Sequence, residues 1–229
     1  YYFQRLEDMG ITVHMILGNH CVYYKNTNEV NSPDLLLDSF HNINVISTAR
    51  EVTVEGRKIL MLPWINSENR EKTFKVIEES DAEICMGHLE LNGFEVTPGM
   101  RMEHGMDSKI LSKFKQVFSG DFHHKSKKGN IQYLGNPYQM FWNDYKDERG
   151  FHLWNPDTTK LTMVKNPYDI FQKIFYNETT KSHLEFDIDK CKQSFVKVIV
   201  EDKKDYQEFE KFVENVYCKK PHDVKIIET

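Results

Sequence analysis

The feature that most constrains this 229-residue chain is a pattern that recurs along it: a short apolar stretch, a glycine, then side chains that ligate metals or move protons. Residues 11–20, ITVHMILGNH, are its first instance. A short run rich in Ile, Val and Leu reads as a buried strand, and the glycine closing it lets the backbone turn sharply. Asn19 and His20 are then presented at the carboxyl end of a strand, where open α/β sheets hold their ligands. An amide oxygen and an imidazole nitrogen both bind metals, and the imidazole also transfers protons. Alone, Gly-Asn-His describes a plain turn equally well. It does not stand alone: residues 84–86 end in Gly87-His88, residues 117–119 in Gly120-Asp121-Phe122-His123, and residues 130–134 in Gly135-Asn136-Pro137. If these strands share one pair of sheets, their ends meet on one rim. Asn, His and Asp are donors suited to manganese, iron or zinc. Two such ions about 3.5–4 Å apart clamp a phosphate and generate hydroxide at neutral pH.

Composition narrows the class. The net charge of −5 argues against a uniformly basic nucleic-acid binder but leaves room for a local basic patch. No stretch approaches the ~20 apolar residues of a membrane span, so no membrane partner and a cytoplasmic location (the host cytoplasm, if a phage encodes the chain) are expected. Cys21, Cys85, Cys191 and Cys218 are widely spaced and read as reduced thiols rather than a disulfide frame.

Between the strand ends, residues 21–40 read as a polar loop leading into a short helix near Ser32-Pro33. Residues 52–64 read as a hairpin turning at Glu55-Gly56, and 68–79 as a helix. The loop 89–105 contains Pro98, Gly99 and His104, and Asp107 or Ser108 caps a predicted helix over SKILSKF. Lys125, Lys127 and Lys128 follow the last Gly-x-x-His directly; a solvated turn and a DNA-phosphate contact are both open readings. His104 is either a plain loop residue or a substrate contact. Tyr138, Phe141, Trp142 and Tyr145 either pack or stack on a base. From about residue 167 the character changes. Residues 194–227 read β-α-β, with Tyr206, Phe209, Phe212, Val213 and Val216 on one helical stripe.

The order Gly-Asn-His, Gly-His, Gly-x-x-His resembles the later motifs of the calcineurin-like metallophosphoesterase superfamily. GHLELNGF (87–94), VFSGDFHHKS (117–126), NIQYLGNPYQMFW (130–142) and DERGFHLWN (147–155) are similar to the nuclease subunit of SbcCD-type DNA repair complexes, above all the recombination endonuclease subunit of tailed phages. The resemblance implies an α/β fold, a four-layer α-β-β-α sandwich over residues 1–167, with a small α+β capping and DNA-recognition domain over 168–229. It implies a metal-dependent DNA exonuclease or endonuclease. Its cofactor would be Mn2+, with Mg2+, Fe2+ or Zn2+ as substitutes. Its partners would be DNA, an SMC-like coiled-coil ATPase of the SbcC type, and a second copy in a homodimer. Asn19 and His88 match ligands of the second metal, and His20 the residue over the scissile phosphate. Asp121 and His123 match the two histidines of the last motif. Lys125, Lys127 and His104 are the candidate substrate contacts.

Departures from the pattern matter as much. Asp121 stands where the family has His, adding negative charge, and Cys21 where it often has Asp. The first two motifs, Asp-x-His and Gly-Asp-x-x-Asp, should precede Gly-Asn-His by several tens of residues. Seventeen residues precede Gly18, and they contain neither. The expectation is an N-terminally truncated nuclease, inactive by itself. The alternatives are a general phosphodiesterase or phosphatase, and a non-catalytic DNA-binding subunit.

Overall fold

The computed structural model describes residues 1–97 and 99–228; Pro98 of the predicted loop and Thr229 lie outside the described residues. The chain divides into two compact units, Tyr1–Gly135 and Asn136–Thr229. The hairpin that follows the last motif thus belongs to the second unit. Among the described residues no helix is long and apolar enough to cross a membrane.

The first unit is mixed α/β. Its elements are α1 (Tyr2–Asp8), β1 (Val13–Ile16), α2 (Ser32–Leu37), β2 (Ile43–Ile46), β3 (Arg50–Val54), β4 (Arg57–Leu62), α3 (Arg70–Glu79), β5 (Ile84–His88), β6 (Glu95–Thr97), β7 (Met100–Arg101), β8 (Gln116–Gly120), β9 (Ser126–Lys128) and β10 (Ile131–Tyr133). Six strands form one sheet in the order β3-β4-β5-β8-β10-β9. The inner four run parallel, and β3 and β9 close the edges antiparallel. The inner strands carry Leu60, Leu62, Cys85, Val117 and Tyr133 into one buried core, with Ile77 of α3 packed against them. Buried parallel strands read as continuous apolar runs for this reason. β1 pairs with β2 in a separate parallel sheet. It is tied to the large sheet just past its end, where Trp64 N–H donates to the Leu17 carbonyl at 2.8 Å.

Two sequence expectations change here. SKILSKF makes only a 3-10 turn over Ser108–Leu111, with Asp107 accepting from Lys109 N–H. The Asn130 amide donates to the carbonyls of Leu111 and Phe114 (3.0 and 2.7 Å), taking acceptors that a longer helix would use. Of the three lysines after the last motif, Lys127 and Lys128 lie on an edge strand, β9, where a solvated turn is one of the two open readings, and lysines on an edge discourage pairing with other chains.

The second unit holds the hairpin β11 (Gly150–Asn155) and β12 (Lys160–Lys165), then β13 (Phe171–Asn177), β14 (Phe195–Asp202), α4 (Tyr206–Cys218) and β15 (Asp223–Glu228). The last three strands form an all-parallel sheet in that order. α4 covers one face: Phe209 and Val216 join Ile174, Tyr176, Val196, Val198 and Val200 in the core. The Asp205 side chain caps α4 by accepting from Gln207 and Glu208 N–H. Tyr206, expected on the core stripe, is instead exposed.

Tyr133 is the buried strut of the first unit. Its hydroxyl donates to the Leu89 carbonyl at 2.6 Å and accepts from Leu91 N–H at 3.0 Å. Its ring stacks on Phe122 with centroids 4.4 Å apart. Burial pushes its phenol far above the ordinary tyrosine value, so it stays a neutral donor. Tyr133→Phe keeps the stack and leaves a buried carbonyl and a buried N–H unpaired. It is expected to cost about 1–3 kcal/mol in urea denaturation, with little change in the denaturant slope.

Candidate metal centre

Register brings the motif residues together. β5 and β8 pair so that Gly87 faces Ser119 and His88 faces Gly120, which puts His88 beside the residue preceding Asp121. Asn19 arrives from the turn after β1. The three side chains converge. His88 Nε2 lies 3.3 Å from Asn19 Oδ1 and 3.1 Å from Asp121 Oδ1, and the Asn19 amide nitrogen is 3.4 Å from the same Asp121 oxygen. All three are partly buried.

Each position is held by its own device. The His88 ring lies so close to Gly18 that a Cβ there would meet Cε1 at 2.8 Å and Nδ1 at 3.0 Å; a Cβ on Gly120 would sit 3.5 Å from Nδ1. Gly18 has no positive φ, so this glycine is required for clearance, not for a special turn. Asp121 does have a positive φ, +83°, which is uncommon for a side-chain-bearing residue. Backbone strain of this kind costs about 1–3 kcal/mol and clusters at functional sites. Beyond His88, Leu89 N–H donates to the Ser119 hydroxyl at 3.1 Å. On the Asn19 side, Lys25 Nζ donates to the Asn19 carbonyl at 2.7 Å.

The loop after Gly-Asn-His is fixed by buried asparagines. The Asn28 amide donates to the carbonyls of Ser47 and Trp64 (3.1 and 3.2 Å) and accepts from the Asn66 amide at 2.9 Å. Asn31 donates to the Asn28 carbonyl and caps α2 by accepting from Asp34 N–H. Asparagine in a loop reads as mere polarity, and nothing in the spacing marks these residues as the scaffold of the site.

The remaining predicted residues are placed as follows. His20 follows Asn19 in the same turn and is exposed. His123 is half-buried and engaged in an interaction of its own; the contacts of the trio involve neither it nor His20. His104 is exposed yet shares a cavity of about 110 Å³ with Trp64, Arg70, His88 and Glu90. Lys125 is half-buried against Gly135, and Lys127 is exposed on β9.

The donor set has the chemistry for one divalent cation: an amide oxygen, an imidazole nitrogen and a carboxylate. With metal–ligand bonds of about 2.0–2.2 Å, ligands around one tetrahedral or octahedral ion stand about 3.0–3.5 Å apart. The separations from His88 Nε2 fall in that range. The set is small. Among the described residues no group of three or more His, Cys, Asp or Glu could hold a metal, and the trio contributes two of that class plus an amide.

No family model matches the chain. The chain is 36% identical over 173 residues to exonuclease subunit 1 of Enterobacteria phage T4, an alignment that covers 76% of this chain and 51% of that protein. The chain spans about half the length of the curated relative it matches.

Gly18→Ala should test the clearance. It is expected to cost about 1–3 kcal/mol by overpacking in the wild-type background and under about 0.5 kcal/mol when His88 is already alanine. A double-mutant cycle on urea midpoints measures the difference.

Proposed function

We propose that this chain is part of a metal-dependent DNA nuclease subunit of the calcineurin-like metallophosphoesterase type, and that Asn19, His88 and Asp121 form one position of its metal site. The observation that carries this reading is the convergence of three motif residues, from three separate strand ends, to within 3.4 Å of one another. The likeness to a protein named exonuclease subunit 1 supports DNA phosphodiesters as the substrate class. The four-layer sandwich with a capping domain over 168–229 belongs to the same reading. So do the SbcC-type ATPase partner and the homodimer.

A divalent cation held by the trio, Mn2+ in this reading, supplies Lewis-acid stabilisation of phosphate charge. The chain's own groups do the rest. Exposed His20, one residue from Asn19, is placed to stabilise the phosphate or hand a proton to the leaving oxygen. His123 is assigned to the neighbouring metal position. His104 shares the His88 cavity and is assigned to substrate contact, with Lys125 and Lys127 assigned to DNA phosphates.

One observation favours a second reading, a non-catalytic DNA-binding subunit: among the described residues no group of three or more His, Cys, Asp or Glu could hold a metal ion. Calorimetry with Mn2+ separates the two. The proposed function expects one bound ion, with affinity reduced at least about tenfold in His88→Ala and Asp121→Ala, since loss of even an outer-sphere partner costs about 10–100-fold. It also expects no DNA cleavage by the 229-residue chain alone. Absence of Mn2+ binding, with DNA binding that survives EDTA and His88→Ala, would establish the non-catalytic reading instead.

A further inference from the structure

The outer side of β13 is closed at both ends and open in the middle. The sheet runs β13-β14-β15, so one side of β13 meets no strand. Phe195 N–H donates to the Ile170 carbonyl at 2.8 Å. Main-chain groups of successive strand residues point to alternate sides. That bond, with Phe171 in register with Phe195, turns residues 170, 172 and 174 toward β14. Phe171, Lys173, Phe175 and Asn177 therefore turn their main-chain groups outward. The ends are occupied. Gln139 Oε1 accepts from Phe171 N–H at 3.0 Å, the Ser182 hydroxyl donates to the Phe175 carbonyl at 3.2 Å, and His183 Nδ1 lies 3.2 Å from the Asn177 carbonyl. Between them, the carbonyls of Phe171 and Lys173 and the N–H groups of Lys173 and Phe175 have no partner among the described residues.

A cleft of about 450 Å³ runs along this stretch, within the size range of ligand pockets. Lys173 and Phe175 line it from the strand, and Phe186 and Lys190 from the segment after Ser182. Tyr145 and Lys146 form a further wall. The loop that carries this wall is fixed. Asp144 accepts from Met140 and Phe141 N–H, and Arg149 bonds Asp144 and Asp147 at 2.7 and 2.8 Å. The Tyr145 ring centroid lies 4.7 Å from Lys173 Nζ and 5.4 Å from Lys146 Nζ. Around the cleft the ammonium groups of Lys146, Lys173 and Lys190 outnumber the carboxylates of Asp169 and Glu185. Phe175 stays 40% exposed beside them.

We infer that the open edge of β13 takes a short, extended, acidic peptide segment of a partner protein as an added strand. The segment's backbone pairs with the open groups of Phe171, Lys173 and Phe175. A carboxylate side chain sits among Lys146, Lys173 and Lys190, and an apolar one against Phe175 and Phe186. Strand addition draws affinity from main-chain bonds and specificity from pockets for alternate side chains. Donors and acceptors alternating at strand spacing match a peptide, which carries both. Phosphate oxygens only accept, so a polyphosphate backbone would leave the carbonyls of Phe171 and Lys173 unpaired in the cleft. The excess of ammonium groups sets the preference for acidic side chains. The blocks at Gln139 and Ser182 keep the added strand short and protect the edge from pairing with a second sheet. The cleft lies wholly in the second unit and stands whether or not the trio holds a metal.

The test is fluorescence anisotropy of the full chain with a labelled peptide of about six residues alternating valine and glutamate, long enough to span the open stretch. The same peptide with lysine for glutamate is expected to bind at least about tenfold more weakly. Two more peptides, N-methylated at every valine or at every glutamate, probe the main-chain pairing without altering the protein. Only one alternate set of peptide N–H groups faces β13. One methylated peptide should therefore bind close to the parent and the other at least about tenfold more weakly. In amide hydrogen exchange, saturating peptide should slow Lys173 and Phe175 and leave Ile174, which faces β14, unchanged. Lys146→Glu combined with Lys190→Glu, both at exposed positions, should reverse the preference between the glutamate and lysine peptides; a reversal cannot come from lost fold. The inference is overturned if the wild-type chain does not bind the glutamate peptide below about 1 mM, if both methylated peptides bind like the parent, if the double variant keeps the wild-type preference, or if an oligothymidylate of equal charge displaces the peptide at lower concentration.

Discussion

The meeting of Asn19, His88 and Asp121 depends on the fit of one imidazole against Gly18. The His88 ring is wedged where any side chain at Gly18 would strike it, while a Cβ at Gly120 would meet it only at ordinary contact distance. That fit joins elements from two different sheets. β1 enters through the backbone bond from Trp64 to Leu17, and β8 enters through its register with β5. Asn19 meets His88 because Gly18 yields space to the ring, and Asp121 meets it because His88 pairs with Gly120 across β5 and β8. The trio is therefore a consequence of backbone approach, and interiors packed to crystal density have no slack to absorb a displaced ring.

This explains which parts of the site were legible in the sequence. The strand-glycine-donor rhythm is a local pattern, and local patterns survive in one dimension: the strands over 43–46, 84–88 and 116–120 lie where the apolar runs place them. The glycines were visible too, but their reason was not. A turn is the ordinary explanation for Gly18, whereas its role is clearance for a ring seventy positions later in the chain. Register, and with it the meeting of Asn19, His88 and Asp121, is set by hydrogen bonds between distant strands that periodicity does not encode. The same holds for Tyr133, which braces the segment after His88, and for the asparagines 28, 31 and 66, whose buried amides stitch loop to strand.

Tertiary hydrogen bonding also explains where local reading fails. SKILSKF has helical spacing, yet Asn130 claims the carbonyls that further helical turns would need, and a helix that short gains too little from propagation to resist. The lysines after Asp121 read as turn because charge is usually solvated. Lys127 and Lys128 instead lie in β9, because β10 offers an edge to pair with and their exposed side chains leave the ladder undisturbed.

The second unit poses the opposite case, a pattern consistent in one dimension and costly in three. Alternation along β13, β14 and β15 sends Ile174, Tyr176, Val196, Val198 and Val200 under α4 and puts Lys173, Lys197 and Lys225 together on the opposite face. Nothing in that alternation requires the outward residues of adjacent strands to carry the same charge at the same level. The loop from Gln139 to Arg149 overlaps two of the segments that are similar to a nuclease subunit. Its residues build a polar knot whose visible effect is to hold Trp142 and Tyr145 against two of these lysines. A ring face offsets part of an ammonium's desolvation without neutralising its charge, so the two rings lower the cost of the lysine row while leaving it positive.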